Sequence, residues 1–419
     1  MRSSRRPAPR GLAGAALAAV LLIPALAVPA DADSKGDSGS LPQIPSTLED
    51  GQQCTPASKK SSSKLPWAQS FLNLDRAWQL NRGAGVTVAV VGTGADTAHV
   101  PSLAGQVEAG PDVMSSGSAA DDCVGQGTFL AGIIAGRQQK DAAMAGVAPQ
   151  ARVLAVRATD KQGVTTPAAL AKGIRAAADG GARVIDVPLG VDSAPDDLKS
   201  AVRDAQGKGA LVVAAADPTG QGRGPSYPAE LPGVVAVAAV GPGGVPPQKN
   251  GAAQNGSGAS ATQPELSAPG VSAVGPGPGG PGQFTGSGDG VASAFVAGTA
   301  ALVASYHPNL TGKEIAHRLD ATANGTGAAA PDPALGWGAV DPVQAISAAL
   351  TGGDSPRHGP ADQRAAAMPP APSDGARNQS LVIAAIAAGA VLLVAFAAAV
   401  LPRARRRGWR PGGPTGTAG

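Results

Sequence analysis

The sequence predicts an α/β domain with a doubly wound parallel sheet, helices on both of its faces, and a separate membrane-spanning helix near the C-terminus. Three observations carry that expectation. Between about Leu65 and Leu350, short β-branched runs alternate with longer Ala-rich segments, the pattern of strands joined by crossover helices. The runs are apolar throughout rather than at every second residue, as strands buried on both faces are. Outside this alternation, Leu381 to Leu401 carries no charge, and at about 1.5 Å per residue it reaches about 31 Å, the thickness of a bilayer's hydrocarbon.

In chain order, Arg2, Arg5, Arg6 and Arg10 precede an uncharged apolar stretch from Gly11 to Pro29, and Ala30-Asp31-Ala32 supplies small residues for cleavage. Residues 1–32 read as a secretory signal. A retained membrane helix is the other reading, interrupted by Pro24 and Pro29, and both imply export. Residues 33–64 are rich in Ser, Gly, Pro and Lys without an apolar period, an extension that either lies on another part of the protein or stays mobile. In the domain spanning 65–350, strands are expected at 86–91, 152–158, 182–187, 210–216 and 234–240. Helices are expected at 128–136, 167–179, 196–208, 292–306, 311–322 and 342–350. The Gly-rich stretches 242–260 and 275–282 read as surface loops.

Residues 351–379 have the Pro- and Ala-rich composition of a stalk, followed by the spanning helix at 380–401 and a basic tail at 402–419. Arg403, Arg405, Arg406, Arg407 and Arg410 follow the helix while only Arg377 lies just before it, so the positive-inside rule leaves the tail in the cytoplasm and the large domain outside. The expected place is the cell membrane, crossed once. Removing the four leader and five tail arginines from a net charge of +3 leaves −6 for the exported part, which argues against a nucleic-acid partner. A composition of 43% hydrophobic and 15% charged residues excludes wholesale disorder and a coiled coil. Cys54 and Cys123 are the only cysteines, and in an oxidising compartment they are expected to form a disulfide that staples the extension to the domain. Two cysteines are too few ligands for a metal, so neither metal nor cofactor is expected.

Open parallel sheets place their sites beyond the carboxyl ends of the strands. Three segments there carry motifs. Val86 to Asp96 reads Val-Thr-Val-Ala-Val-Val-Gly-Thr-Gly-Ala-Asp, Gly125 to Gly132 reads Gly-Gln-Gly-Thr-Phe-Leu-Ala-Gly, and Gly288 to Gly298 reads Gly-Asp-Gly-Val-Ala-Ser-Ala-Phe-Val-Ala-Gly. These resemble the Asp, His and Ser boxes of subtilisin-like serine proteases, in the family's order. Within that family the chain is similar to the mycosins, membrane-anchored proteases associated with actinobacterial type VII secretion. Pro66-Trp67-Ala68-Gln69, Arg82-Gly83-Ala84-Gly85 and Gly336-Trp337-Gly338-Ala339-Val340-Asp341-Pro342 add to the resemblance. The order of signal, extension, domain, stalk and helix extends it over nearly the whole chain. It implies a subtilisin-like fold, and as partners either type VII secretion membrane components or an extended polypeptide.

The chain departs from the family at each catalytic position. Gly92 stands where the family has Asp, Gln126 where it has His, and Gly290 where it has Ser. The Asn that donates to the oxyanion falls on Asp217 or Pro218, neither of which has an amide side chain. Acyl transfer needs a nucleophile, a base, a carboxylate to orient the base, and donors to the oxyanion. In subtilisin and chymotrypsin, triad loss leaves roughly 10³ to 10⁴ over water and one lost donor costs roughly 10² to 10³ more. Catalytic residues are therefore expected to be absent. His99, His307, His317 and His358 are the only histidines, and none falls at position 126. Ser293 lies three residues, about 4.5 Å, further along the helix than Gly290, and Ser287 requires a shift of the loop. Structural duties fit the substitutes: Asp289 as a helix N-cap, Gly290 in a tight turn, Gln126 bonding laterally. The reading is a membrane-anchored, inactive scaffold or peptide-binding component of a type VII secretion assembly. The alternatives are an active endopeptidase with a non-standard triad, and a fold relic that merely holds its helix in a complex.

Overall fold

The computed structural model describes residues 40–350 apart from 116, 141, 221–223, 248–261 and 326–329. The expected signal, stalk, spanning helix and tail lie outside the described residues. Strands are β1 (Thr87–Gly92), β2 (Val107–Asp112), β3 (Arg152–Arg157), β4 (Val184–Val187), β5 (Leu211–Ala215), β6 (Val234–Val240), β7 (Leu266–Pro269), β8 (Ala273–Pro276) and β9 (Gln283–Gly286). Helices are α1 (Trp67–Phe71), α2 (Leu74–Leu80), α3 (Gln126–Ala135), α4 (Pro167–Asp179), α5 (Asp196–Gly207), α6 (Asp289–Tyr306), α7 (Gly312–Ala321) and α8 (Pro342–Ser347).

The first seven strands form one parallel sheet in the order β2-β3-β1-β4-β5-β6-β7. The apolar runs of the sequence are β1, β3, β4, β5 and β6. Alternate side chains of β1 serve opposite layers: Val88 and Val90 join the core of α3 and α6, while Ala89 and Val91 join the core of α4 and α5. Helix starts are chemically marked. Thr166 accepts from the Ala169 N–H with Pro167 following, and Thr311 and Glu314 form a reciprocal capping box. Two sheet strands were not legible. Strand β2 carries Gly110 and Pro111 and is tolerated because it lies at the sheet's edge, and β7 is only four residues long and ends in Pro269.

One expectation is corrected. The stretch 275–282 is not a surface loop, because β8 and β9 pair antiparallel there and Gly275, Pro276 and Gly277 are buried. A Cβ on Gly275 would lie 2.8 Å from the Phe129 ring, and one on Gly277 would lie 2.1 Å from the Phe284 ring. Glycine is present because aromatic rings rest directly on the backbone, not because the segment turns in solvent. The other expected loop, 242–260, falls largely outside the described residues.

From residue 40 onward the extension lies on the domain. The Ile44 N–H donates to the Thr285 carbonyl at 2.8 Å, the Leu48 N–H to Gln162 at 2.8 Å, and the Gln283 N–H to Lys60 at 2.7 Å. Cys54 and Cys123 form the disulfide. Among the described residues, α6 is the one helix long and apolar enough to cross a bilayer. It is instead the core helix, buried from Asp289 to Ala304.

Candidate functional site

The chain runs from β1 to β2 and β3 on one side, then crosses to β4 on the other, so the crevice of a doubly wound sheet opens at the carboxyl ends of β1 and β4. Gly92 ends β1 and Pro188 follows β4. The N-terminus of α3 meets this crevice through a bonded corner. Asp122 accepts from the Gly125 N–H at 2.7 Å and from the Thr128 N–H and hydroxyl at 2.8 and 2.7 Å, while Thr93 Oγ1 accepts from the Gly127 N–H at 2.8 Å. Asp122 thus satisfies helix-start donors that Gly125, with no side chain, leaves open. Burial pushes its carboxyl above the usual range, opposed by the Thr128 and Gly125 donors and by Thr93.

Gln126 is the first residue of α3 and only 9% exposed. Its Oε1 has no hydrogen-bond partner. The lateral bond expected of it is therefore not made by this oxygen, because the corner's acceptors and donors are already committed to each other. Asp289 also differs from expectation. Gly288, at φ 120°, is the N-cap of α6 and offers no side chain. Asp289 instead accepts from the Asp217 N–H at 2.9 Å and the Ala239 N–H at 2.8 Å, tying the exits of β5 and β6 to α6. Thr219 donates to Asp217 at 3.0 Å.

Gln126, Pro188, Asp217, Pro218 and Gly290 all line one cleft of about 400 Å³, with Ser46 of the extension at its edge. Four of the sequence-selected positions, Gln126, Gly290, Asp217 and Pro218, are therefore brought together. Gly92 lies beside them without lining the cleft: a Cβ there would be 3.8 Å from Pro188 Cγ. At Gly290 the situation is different. A Cβ would lie 2.9 Å from the Pro188 carbonyl oxygen and 3.1 Å from Pro188 Cβ, inside ordinary contact distance.

Of the displaced candidates, Ser287 alone lines the cleft, and no histidine among the described residues does. The Ser293 hydroxyl is buried and donates to the Gly290 carbonyl at 2.9 Å, and Ser287 accepts from the Ser272 N–H at 2.9 Å. His99 pairs with Asp96 at 2.9 Å, but its side chain is 71% exposed and neither residue lines the cleft. His307 faces the Ile346 carbonyl at 2.9 Å, and His358 lies outside the described residues. Among the described residues no group of three or more His, Cys, Asp or Glu is placed to hold a metal ion.

Two residues at the crevice escaped the sequence. Pro188 could be found only as a proline at a strand exit; its approach to α6 is tertiary. Asp186, on β4, is fully buried with neither carboxyl oxygen hydrogen-bonded. Burial pushes it up to about 7, with the neighbouring Ser293 opposing. A lone acid in an otherwise apolar Val-Ile-Asp-Val run was the available signal.

Comparison with known proteins places this crevice in context. The sequence model of the subtilase family, Peptidase S8, matches residues 83–338. Mycosin-3 of Mycobacterium tuberculosis is 33% identical over 403 residues, covering 81% of this chain and 84% of that protein. Thermitase of Thermoactinomyces vulgaris is 39% identical over 176 residues, which are 42% of this chain and 62% of thermitase. Among solved structures, the MycP3 protease from the type VII (ESX-3) secretion system superposes with a TM-score of 0.60 at 31% identity, over 74% of this chain and 94% of that one. With the family model matching residues 83–338, mycosin-3 aligned over 84% of its length and the MycP3 fold shared, the chain belongs to the subtilase family and, within it, to the mycosins.

Proposed function

We propose that this chain is a non-catalytic mycosin-like component of a type VII secretion system, binding an extended polypeptide or scaffolding the assembly without cutting. In this reading a single C-terminal helix holds it in the cell membrane, with the large domain outside. One observation carries the non-catalytic part: the Pro188 carbonyl lies 2.9 Å from where the first atom of a side chain on Gly290 would be. The position of the nucleophile is closed by main chain as well as empty. The other positions agree, since Gln126 has no basic nitrogen, Gly92 has no carboxylate, and Asp217 and Pro218 offer no side-chain amide to an oxyanion. Binding needs none of these groups. An extended peptide held by main-chain pairing gains affinity without a nucleophile.

The secretion context rests on the kinship with the mycosins and with a protease described as part of a type VII system. The membrane anchor rests on the sequence of 380–401 and the arginines after it. Capture of the full-length chain from detergent-solubilised membranes of its host, followed by identification of what copurifies, tests the partner. Type VII membrane subunits are the expected catch. Their absence from captures that retain the chain intact contradicts the assignment.

A further inference from the structure

The cleft contains two hydrogen-bonding groups of opposite sense with nothing to bond. Gln126 Oε1 is a buried acceptor without a partner. The Gly290 N–H, in the first turn of an 18-residue helix whose N-cap has no side chain, is a donor with no acceptor among the described residues. Both residues line the same space of about 400 Å³. Its wall also includes the apolar side chains of Pro188, Pro218, Val271 and Val291, the hydroxyls of Ser46, Thr219 and Ser287, and the acids Asp217 and Asp289. A buried polar group without a hydrogen-bond partner is unfavourable, so a ligand that pairs with both groups is favoured.

The ligand's chemistry follows from the pair. A carboxylate has no hydrogen for Gln126, an ammonium has no lone pair for Gly290, and a hydrocarbon serves neither. A secondary amide serves both, as a hydroxyl does, and the amide is the group that an extended polypeptide repeats along its length. The main chain around Gln126 is held in advance, because Asp122 and Thr93 fix the N–H groups of its neighbours Gly125, Gly127 and Thr128. The backbone that carries the side chain therefore has little freedom left to lose on binding.

We propose that Gln126 is an anchoring residue for polypeptide main chain, its Oε1 accepting one particular peptide N–H while the Gly290 N–H donates to a carbonyl of the same peptide. This rests on the peptide-binding reading above and assigns it a residue. The side chain that replaced a catalytic base recognises an amide instead of transferring a proton.

Fluorescence polarisation on the full-length protein in detergent tests it, with a fluorescein-labelled, end-capped hexapeptide of alternating Ala and Ser and a set of versions each N-methylated at one amide. The wild type is expected to bind the parent and to lose about tenfold in affinity for one N-methylated version, as for one hydrogen bond. Gln126→Leu is expected to bind the parent about tenfold more weakly and to show no further loss with that version. Gln126→Glu, which keeps an acceptor oxygen, is expected to bind the parent better than Gln126→Leu. Thermal unfolding of both variants verifies that they are folded. Equal binding of the parent by folded Gln126→Leu and wild type overturns the anchor and leaves the peptide-binding reading standing. Failure of the wild type to bind any of these peptides overturns both.

Discussion

Asp122 and Asp186 lie near the same crevice, both withdrawn from water, and the chain treats them in opposite ways. Asp122 is surrounded by donors from Gly125 and Thr128 and organises the start of α3. Asp186 has no hydrogen-bonded oxygen and sits under α6 as a carboxyl pushed up to about 7. Burial is common to both, so donors decide the role. The contrast extends to their surroundings. The corner around Asp122 is bonded as a scaffold must be, whereas the floor between Pro188, Gln126 and Gly290 holds an orphaned oxygen and a blocked position. The subtilase frame is tightly bonded where it positions elements and carries unbonded and crowded groups at the positions aligned with the family's catalytic residues.

Asp122→Ala gives the largest expected effect. It strands two buried N–H groups and a hydroxyl, and a loss of about 3 kcal/mol is expected from the shift of the urea midpoint. A loss under about 0.5 kcal/mol would erase the contrast. Asp186→Asn moves the other way. A carboxyl raised in the folded state contributes stability that is fully present below its unfolded value near 4 and is lost as pH rises through about 7. The variant is therefore expected to lose this pH dependence and to exceed wild type by on the order of 2 kcal/mol at pH 8, with the advantage shrinking toward pH 4. A difference that stays constant from pH 4 to pH 8 contradicts a neutral Asp186.

Two further substitutions compare directly two of the positions aligned with the family's catalytic residues. Gly290→Ser forces a side chain against the Pro188 carbonyl, with an expected cost of about 1.5 kcal/mol. Gly92→Ala meets nothing nearer than 3.8 Å and is expected to change stability by less than about 0.5 kcal/mol, read from the same urea titrations. Equal costs at the two positions would mean that Pro188 does not close the nucleophile's place.

The sheet was legible because β1, β3, β4, β5 and β6 are unbroken Val- and Ala-rich runs, and the helices because of their length and their caps at Thr166 and Thr311. The edge strand β2 and the pair β8 and β9 were not, since Gly and Pro there answer to a sheet edge and to the rings of Phe129 and Phe284, contacts that no local pattern encodes. At the site, the motifs located Gly92, Gln126 and Gly290 but not what surrounds them. That Asp289 serves two strand exits rather than a helix cap, and that Gln126 Oε1 is left unbonded, depend on which donors folding brings near. Pro188 was invisible for the same reason.

Reaction of the full-length, natural protein with a fluorophosphonate probe for activated serines tests the central claim most directly. The closed position at Gly290 predicts no covalent label at any serine, at any pH from 5 to about 9, where serine hydrolases carry their base. Stoichiometric labelling of one serine, abolished when that serine is changed to Ala, would contradict it.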